Sequence, residues 1–378
     1  MGDSTALDGT EMQREHTRHL RDMPHMPGKG VMGSCRGERV ERVMPPYHPS
    51  VRPPGEMSGR DREPNGTKFI ELTVKSLANS PKSTGMTFWS INPYVGCELG
   101  CVYCYAHYAH RYTAERVHDA FAETAFSQHI FVKQRKAVVH ALERDIARIH
   151  KHSSPDDPAT LAIGTSTDPY QPAERHFGVT RAILERFLTT EGLELGITTK
   201  SPLVCRDIDV LLELGRKHKV TVYISLICKS TRIIRLFEQR SPLPQARLRA
   251  LSRLREAGIT AGINAAPVLP GITDSVFEIE ALMVAAKEAH ASFVHPSVLR
   301  MYPSVRDEFL PVIEQHFPNL MPRYRVAYQK NRNAPTNYQA AIERRFERIA
   351  RKYGVDSADP FKKEEQTQVE PDAQLSLL

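Results

Sequence analysis

The sequence lacks the long apolar run that a membrane span requires, and it contains few cysteines. None of its segments approaches the roughly 18 consecutive apolar residues of a membrane helix, and its first 30 residues have no apolar centre typical of a secretory signal. Of 378 residues, 40% are hydrophobic and only six are cysteine, which allows a large core but excludes a disulfide scaffold. We therefore expect a cytoplasmic protein in a reducing compartment, with no membrane partner.

A glycine-rich dinucleotide-binding turn is also missing, although strand and helix patterns alternate from about residue 67 onward. Six segments have the short apolar pattern of strands: 87–95, 160–168, 193–201, 220–228, 259–270 and 291–299. Five segments repeat apolar residues every three or four positions and are predicted helices: 132–150, 180–192, 206–218, 246–258 and 275–290. Such alternation forms right-handed βαβ units. Without the dinucleotide turn, it favours an α/β barrel or open partial barrel over a Rossmann sheet.

The two ends of the chain differ from this core in composition. Residues 1–66 carry ten basic and ten acidic side chains with few large aliphatic residues, which predicts a disordered arm. Residues 323–352 carry nine Lys or Arg against two Glu, a local charge of +7 that equals the net charge of the whole chain. We expect a core at 67–320, a basic helical extension at 321–356 and a disordered acidic tail at 357–378.

Three of the cysteines fall within eight residues, in the run Cys97-Glu-Leu-Gly-Cys101-Val-Tyr-Cys104. Three thiolates at this spacing can occupy three corners of one cuboidal iron–sulfur cluster, which usually has four cysteine ligands. No fourth cysteine follows nearby, so one iron would keep an open coordination position. A zinc site is the alternative interpretation of these residues, with Cys101 and Cys104 as one ligand pair and His107 or His110 as a further ligand.

The segment 91–107, INPYVGCELGCVYCYAH, resembles the cluster loop of the radical S-adenosylmethionine (radical SAM) superfamily, with its aromatic residue just before the third cysteine. Further segments are similar to the spore photoproduct lyase-related branch, which is described as DNA repair photolyase-like: 164–174, 197–209, 225–230 and 266–274. The resemblance covers about residues 68 to 300. It implies a partial (βα)6 TIM-type barrel of the radical SAM kind.

The resemblance also implies the cofactors. A [4Fe–4S] cluster would be held by Cys97, Cys101 and Cys104, and its open iron would bind S-adenosylmethionine. One-electron reduction, from a donor such as flavodoxin or ferredoxin, would cleave the sulfonium and release a 5′-deoxyadenosyl radical that abstracts hydrogen from a substrate. Lys200 would be the cation for the methionine carboxylate. The residues implied to bind the cofactor are Tyr103, Gly164, Thr165, Ser166, Lys200, Ser225, Asn264 and Ala265.

Each matched segment lies at the carboxyl end of a predicted strand. In α/β barrels that edge holds the active site, and this placement follows from patterning independently of the family resemblance. Asp168, at the end of the second strand, is a candidate catalytic residue. Nearby Glu174 more readily caps the following helix, and His295 either points into the barrel mouth or has a structural role.

The hydrogen donor and the substrate are less defined. The lyases of this branch repair a thymine dimer in DNA and return hydrogen from a protein cysteine, but residues 105–163, where that donor would lie, contain no cysteine. Cys228 is therefore a candidate catalytic thiol, with a buried inert thiol as the alternative. In residues 323–352, basic side chains interleave with tyrosines, which suits phosphate contact and base stacking. The candidate contacts are Arg344, Arg345 and Arg348, with a packed tyrosine face and solvated arginines as the alternative.

The sequence thus predicts a cytoplasmic radical SAM enzyme of lyase or oxidoreductase type, with nucleic acid as the preferred substrate class. Radical modification of a peptide or small molecule is the alternative among enzymes. A non-catalytic, zinc- or cluster-binding nucleic-acid adaptor is the alternative from another class. Lys200 and Ser225 argue against that adaptor, because a scaffold does not need a cation for a cofactor carboxylate.

Overall fold

A computed structural model describes most of the predicted core, covering residues 41–42, 67–110, 113, 126–154, 156–358 and 360. The predicted disordered arm and acidic tail lie almost entirely outside these residues. One part of the arm is described: β1 (Glu41–Arg42) pairs antiparallel with β2 (Lys68–Leu72). Disorder of the arm and of the acidic tail stays a prediction.

The main sheet has seven strands. They are β3 (Ala78–Asn79), β4 (Trp89–Ile91), β7 (Thr160–Ile163), β8 (Glu194–Thr199), β9 (Lys219–Ser225), β10 (Thr260–Val268) and β11 (Val294–Val298). Their order is β11-β10-β9-β8-β7-β4-β3, with every neighbouring pair parallel except β3 and β4. Each of the six predicted strands is present, and the six parallel strands follow one another in chain order. This arrangement confirms the partial barrel.

A second sheet was not predicted. It has the order β1-β2-β6-β5, where β5 is Tyr94–Val95 and β6 is His129–Lys133. The prediction placed Val132 and Lys133 at the start of a helix, but the middle of β6 is buried on both faces. A short apolar run of this kind has no period that separates a buried strand from a helix.

The first predicted strand, 87–95, is in fact two strands in two sheets. The break falls between β4 and β5, at Asn92 and Pro93. Proline has no N–H to donate to a strand ladder. The Asn92 amide bonds instead to the loop after β7, where its oxygen accepts from the Ser166 N–H at 2.8 Å. This interruption turns the chain toward the cysteine segment.

The helices cover the outside of the sheet. They are α1 (Pro81–Thr84), α2 (Arg135–His150), α3 (Glu174–Phe177), α4 (Val179–Phe187), α5 (Ile208–Gly215), α6 (Thr231–Phe237), α7 (Pro244–Glu256), α8 (Val276–Glu288), α9 (Pro303–His316), α10 (Met321–Ala327) and α11 (Thr336–Tyr353). The five predicted helices correspond to α2, α4, α5, α7 and α8. No described helix has the length and apolarity needed to cross a bilayer.

Helix α2 shows why the periodic segments fold as they do. Val138, Leu142 and Ile149 lie on one stripe and are fully buried against the sheet. Each such side chain contributes about 1.5–3 kcal/mol on burial. Helix α9 escaped prediction in part because Pro311 lies inside it, a residue that normally ends a helix.

Candidate active site

The three clustered cysteines lie in the loop that follows β5. All three are free thiols; Cys97 and Cys101 are buried and Cys104 is half-buried. Gly96 opens this loop with a positive φ of 88°, and a Cβ there would lie 2.8 Å from the His129 carbonyl oxygen. Only glycine fits this close backbone approach. The start of the loop therefore packs directly against the backbone of β6.

Burial controls the protonation of these thiols. It raises the pKa of Cys97 well above its usual range, and it raises the pKa of Cys101 to about 12 although Lys200 opposes the rise. Metal binding displaces such thiol protons, because the bound ion stabilises the thiolate. A set of three enclosed thiols within electrostatic range of one another is a suitable donor set for an iron–sulfur cluster.

The zinc alternative fits the geometry less well. His110 contacts the His129 carbonyl oxygen at 2.8 Å through Nε2, and the His107 ring stacks on Phe126 at 4.2 Å. A zinc ion requires ligands about 2.0–2.3 Å from one point. Among the described residues, no three His, Cys, Asp or Glu side chains are grouped in that way. Both histidines that the zinc alternative requires are therefore engaged in other contacts.

The residues predicted to bind the cofactor are brought together at the carboxyl ends of the parallel strands. Ser225 ends β9 and pairs in register with Asn264 of β10, which in turn pairs with His295 of β11. Ala265 follows in β10 and is buried. Lys200 comes directly after β8. The strand-end residues therefore share one edge of the sheet, facing the cysteine loop.

Lys200 contacts the cysteine loop directly. Its Nζ lies 5.7 Å from the centre of the Tyr103 ring. Burial alone would lower the pKa of Lys200, but Cys101 and Glu238 outweigh that effect and the net shift is upward. The ammonium therefore stays charged beside the loop, as a cation for a carboxylate ligand must.

Gly164, Thr165 and Ser166 form a turn that has a clear structural reason. Gly164 has a φ of 90°, and a Cβ there would lie 2.6 Å from the Pro169 ring. The Asn92 side chain donates to Thr165 Oγ1 at 3.0 Å as well as accepting from Ser166. The cofactor roles of these three residues stay predictions. Sequence reasoning missed Asn92, whose NP dipeptide is an ordinary turn signal.

Asp168 is buried and its carboxylate is used by the chain itself. It accepts from Thr199 Oγ1 at 2.6 Å, from the Lys200 N–H at 2.7 Å and from the Tyr170 N–H at 2.9 Å. These bonds hold the end of β8 and set the backbone position of Lys200. A catalytic role for Asp168 stays a prediction, and its contacts favour a positioning role.

Other residues of the matched segments form one buried network beneath the loop. Glu174 and Asp207 are fully buried, and Arg206 bonds to both at 2.8 Å. The Tyr94 hydroxyl donates to Glu174, and Arg181 donates to Asp207 at 2.9 Å. The network joins the start of the cysteine loop to the segments after β7 and β8. The expectation that Glu174 has a structural role agrees with these contacts.

The comparisons with known proteins decide the family. The model of the radical SAM superfamily matches residues 91–282, which include the cysteine loop and four whole parallel strands, β7 to β10. The chain belongs to the radical SAM superfamily. It is therefore a radical SAM enzyme, with a [4Fe–4S] cluster and S-adenosylmethionine as its cofactors. This confirms the cofactors expected from the sequence, and the donor set at Cys97, Cys101 and Cys104 fits the cluster.

The chain is also similar to individual proteins. An uncharacterized protein of Mycobacterium tuberculosis is 32% identical over 293 residues, covering 76% of this chain and 82% of its own. An uncharacterized protein of Methanocaldococcus jannaschii is 25% identical and covers 66% of this chain and 84% of its own. A variant of spore photoproduct lyase has a TM-score of 0.50 at 16% identity, covering 70% of this radical SAM chain and 74% of that one. This last likeness shows the shared fold.

The structure of the basic C-terminal segment contradicts one of the two interpretations that the sequence allowed for its tyrosines. The hydroxyls of Tyr324 and Tyr328 are buried and donate to backbone carbonyls at 2.8 and 3.0 Å. Tyr338 donates to Asp274 at 2.7 Å. The interpretation of these tyrosines as base-stacking residues is wrong, since their rings pack into the core and their hydroxyls are paired.

The three arginines predicted to contact nucleic acid lie on α11, which packs against α8 and β11 on the outer wall. Arg344 and Arg348 are exposed, whereas Arg345 donates to the Asp274 carbonyl. Arg345 is therefore a structural residue in part. Their contact with nucleic acid stays a prediction.

A different aromatic and cationic group lies at the mouth of the barrel. Tyr105 follows the last cluster cysteine, and its hydroxyl donates to the Thr165 carbonyl. Its ring stacks with Tyr108 at 6.3 Å and lies 5.9 Å from Tyr302, over which the Arg332 guanidinium sits at 5.0 Å. We call Tyr105, Tyr108, Tyr302 and Arg332 the mouth group. Sequence reasoning missed it because its members come from three distant segments.

Cys228 is placed as an enclosed thiol. Its side chain is 1% exposed, with its sulfur 3.8 Å from the Ser230 carbonyl oxygen, and burial raises the pKa of the thiol to about 12. Its role as a hydrogen donor stays a prediction.

Alkylation of Cys228 by iodoacetamide at pH 8 is expected to be at least about 100-fold slower in the folded protein than in the unfolded one, because only the thiolate reacts. Mass-spectrometric peptide mapping over time measures this rate. Equal rates in the folded and unfolded protein would contradict the enclosed placement.

Proposed function

We propose that this radical SAM enzyme acts on nucleic acid and that the mouth group receives a base of the substrate. The observation that carries the proposal is the stack of tyrosine rings and a guanidinium directly after the cluster cysteines. Tyr108 is 44% exposed and Arg332 is exposed, so both are accessible to a ligand from solvent. Bases stack on aromatic side chains with about 1–3 kcal/mol each, largely independent of sequence.

The chain's own residues would then have separate tasks. Cys97, Cys101 and Cys104 would hold the cluster, and Lys200 would bind the carboxylate of S-adenosylmethionine. When bound, these cofactors supply reductive cleavage to a 5′-deoxyadenosyl radical that abstracts hydrogen from the substrate. Tyr105 is the member of the mouth group that directly follows the cluster cysteines, and it would place the substrate close to that radical.

The test is cleavage of S-adenosylmethionine by the anaerobically reconstituted protein. With a reductant present, 5′-deoxyadenosine formation is measured alone and with single-stranded DNA, duplex DNA, RNA or a mixed peptide pool. We expect nucleic acid to increase the rate and to acquire a modification visible by mass spectrometry. Stimulation by peptides alone would favour peptide modification instead, and stimulation by neither would favour a small-molecule substrate.

The exposed Arg332 guanidinium would also contact a phosphate next to the stacked base. Replacing Arg332 with glutamine is therefore expected to weaken binding of single-stranded DNA and to reduce the slope of log K against log salt concentration by about 0.7, the loss of one phosphate contact. Fluorescence anisotropy at several salt concentrations measures both effects. Arg351→Gln is the matched control, because Arg351 is an exposed arginine in the last turn of α11. An unchanged slope for Arg332→Gln would contradict the proposed contact.

The same titration tests the α11 arginines. If Arg344→Gln and Arg348→Gln leave the slope unchanged, the outer wall makes no contact with nucleic acid.

We further propose a cytoplasmic location with a flavodoxin or ferredoxin as the electron donor, since the thiol loop requires reducing conditions to remain free of disulfides.

A further inference from the structure

The segment after α6 contacts the cysteine loop along its length. The Val102 N–H donates to the Phe237 carbonyl at 3.0 Å, and the Arg240 N–H donates to the Leu99 carbonyl at 3.3 Å. Ser241 Oγ lies 3.8 Å from the Cys101 sulfur. Through these contacts, the conformation of the cysteine loop depends on a segment more than a hundred residues away in the chain.

A fully buried ion pair anchors this segment. Glu238 and Arg247 have no exposed side-chain surface. One carboxylate oxygen of Glu238 accepts from the Tyr103 hydroxyl, and the other accepts from Arg247. The other guanidinium nitrogens of Arg247 donate to the Pro242 and Ser225 carbonyls, each at 2.8 Å. The pair thus joins the cysteine loop, the end of β9 and the segment before α7.

Stability alone is a poor explanation for this pair. Removing two charges from water costs several kcal/mol per ion, and well-packed apolar side chains of similar volume are often equally stable. What an ion pair adds is direction, because its hydrogen bonds fix the partners. Here the partners are Tyr103 and the strand end at Ser225, both predicted to border S-adenosylmethionine.

We propose that Glu238 and Arg247 are positioning residues that set the Tyr103 ring and the end of β9 for binding S-adenosylmethionine. The carboxylate orients the phenol, and the phenol fixes the turn between Cys101 and Cys104. The proposal rests on the radical SAM chemistry of the chain. It does not depend on the nucleic-acid substrate, because binding and cleavage of S-adenosylmethionine are measured without one.

Two conservative variants test it. Glu238→Gln keeps the shape of the side chain and removes its charge, whereas Tyr103→Phe keeps the ring and removes only the hydroxyl. We expect both to retain iron and to weaken binding of S-adenosylmethionine by about 10- to 100-fold, by analogy with the effect on activity of losing a residue that orients a metal ligand. Because both act through one contact, the double variant is expected to be no weaker than the weaker single variant.

A second readout needs no cluster. In the apo-protein, hydrogen exchange at the Val102 and Cys104 amides is expected to be faster in both variants, since the loop loses its anchor. Asp145→Asn is the matched control, because that buried carboxylate accepts from the Leu77 and Ala78 N–H groups at 2.6 and 2.8 Å, away from the loop. It should lower stability and leave both readouts unchanged.

The outcomes separate the possibilities. Unchanged loop exchange and unchanged affinity for S-adenosylmethionine in Tyr103→Phe and Glu238→Gln would overturn the proposal and leave the pair a purely structural one. If Glu238→Gln does not fold, Tyr103→Phe decides alone. A wild-type protein that binds and cleaves S-adenosylmethionine without any response to nucleic acid would overturn the substrate proposal and leave this one standing.

Discussion

Replacing Cys101 with alanine is expected to abolish cluster binding and all cleavage of S-adenosylmethionine. Cys101 is the middle one of the three predicted ligands and is buried, with Tyr103 and Lys200 close to it. Two thiolates leave a second iron without a protein ligand, so the cluster is not retained. The visible absorption of the reconstituted protein and its yield of 5′-deoxyadenosine, which should fall to the background level, measure the loss.

Cys205→Ser is the matched control for this variant. Cys205 is also buried, but its thiol contacts the Ala250 carbonyl at 3.6 Å, in the packing of α7. Its replacement should leave the iron content and the cleavage of S-adenosylmethionine unchanged. Product formation by Cys101→Ala at the wild-type rate would contradict the assignment of the cluster to this loop.

Replacing Arg206 with alanine is expected to lower the free energy of unfolding by about 3–5 kcal/mol, because it leaves the buried Glu174 carboxylate without its cation and leaves Asp207 paired with Arg181 alone. Glu174 and Asp207 have no exposed surface, and Arg206 forms an ion pair with each of them. Urea denaturation followed by circular dichroism measures the effect. The change should be a lower midpoint with a similar slope.

An exposed ion pair provides the comparison. Arg216 pairs with Glu213, and their side chains are 76% and 44% exposed. Such surface pairs contribute about 0–1 kcal/mol, so Arg216→Ala should have little effect on the midpoint. Equal effects of Arg206→Ala and Arg216→Ala would show that the buried network does not support the fold in the way its contacts indicate.

The variants Cys101→Ala and Arg206→Ala also separate two kinds of residue within the segments that resemble the family. The cysteines and Lys200 lie where cofactor chemistry is predicted to take place, whereas Glu174 bonds to both Tyr94 and Arg206. A segment can therefore identify a family through residues that hold the scaffold. Their side chains keep the carboxyl ends of β7 and β8 in place relative to the cysteine loop.

The predictable and unpredictable parts of the site differ in how their residues are connected. The family resemblance implied roles for Ser225 and Asn264, and the strand pattern predicted that they lie together, because parallel strands bring their carboxyl ends to one edge. Glu238 and Arg247 carry no such signal. Glu238 directly follows α6 and Arg247 lies in the first turns of α7. Only packing shows that Glu238 reaches Tyr103 and that Arg247 pairs with Glu238.

The C-terminal tyrosines show the same limit. Alternating basic and aromatic residues suit either nucleic-acid contact or one packed helix face, and the sequence allowed both. The burial of Tyr324 and Tyr328 resolves this in favour of packing. In contrast, no local sequence pattern indicates that Tyr302 and Arg332 join the mouth group.

By itself, the sequence determined the alternating strands and helices and the partial barrel, and it predicted the cysteine ligands and the edge at which the active site lies. Local periodicity and short spacing encode those features, because neighbouring residues share one helix face or one loop. Only the tertiary structure decided which charges are buried, which rings face the mouth and what supports the cysteine loop. Some of these pairings join residues more than a hundred positions apart in the chain. Their energy arises from packing, which no local sequence pattern records.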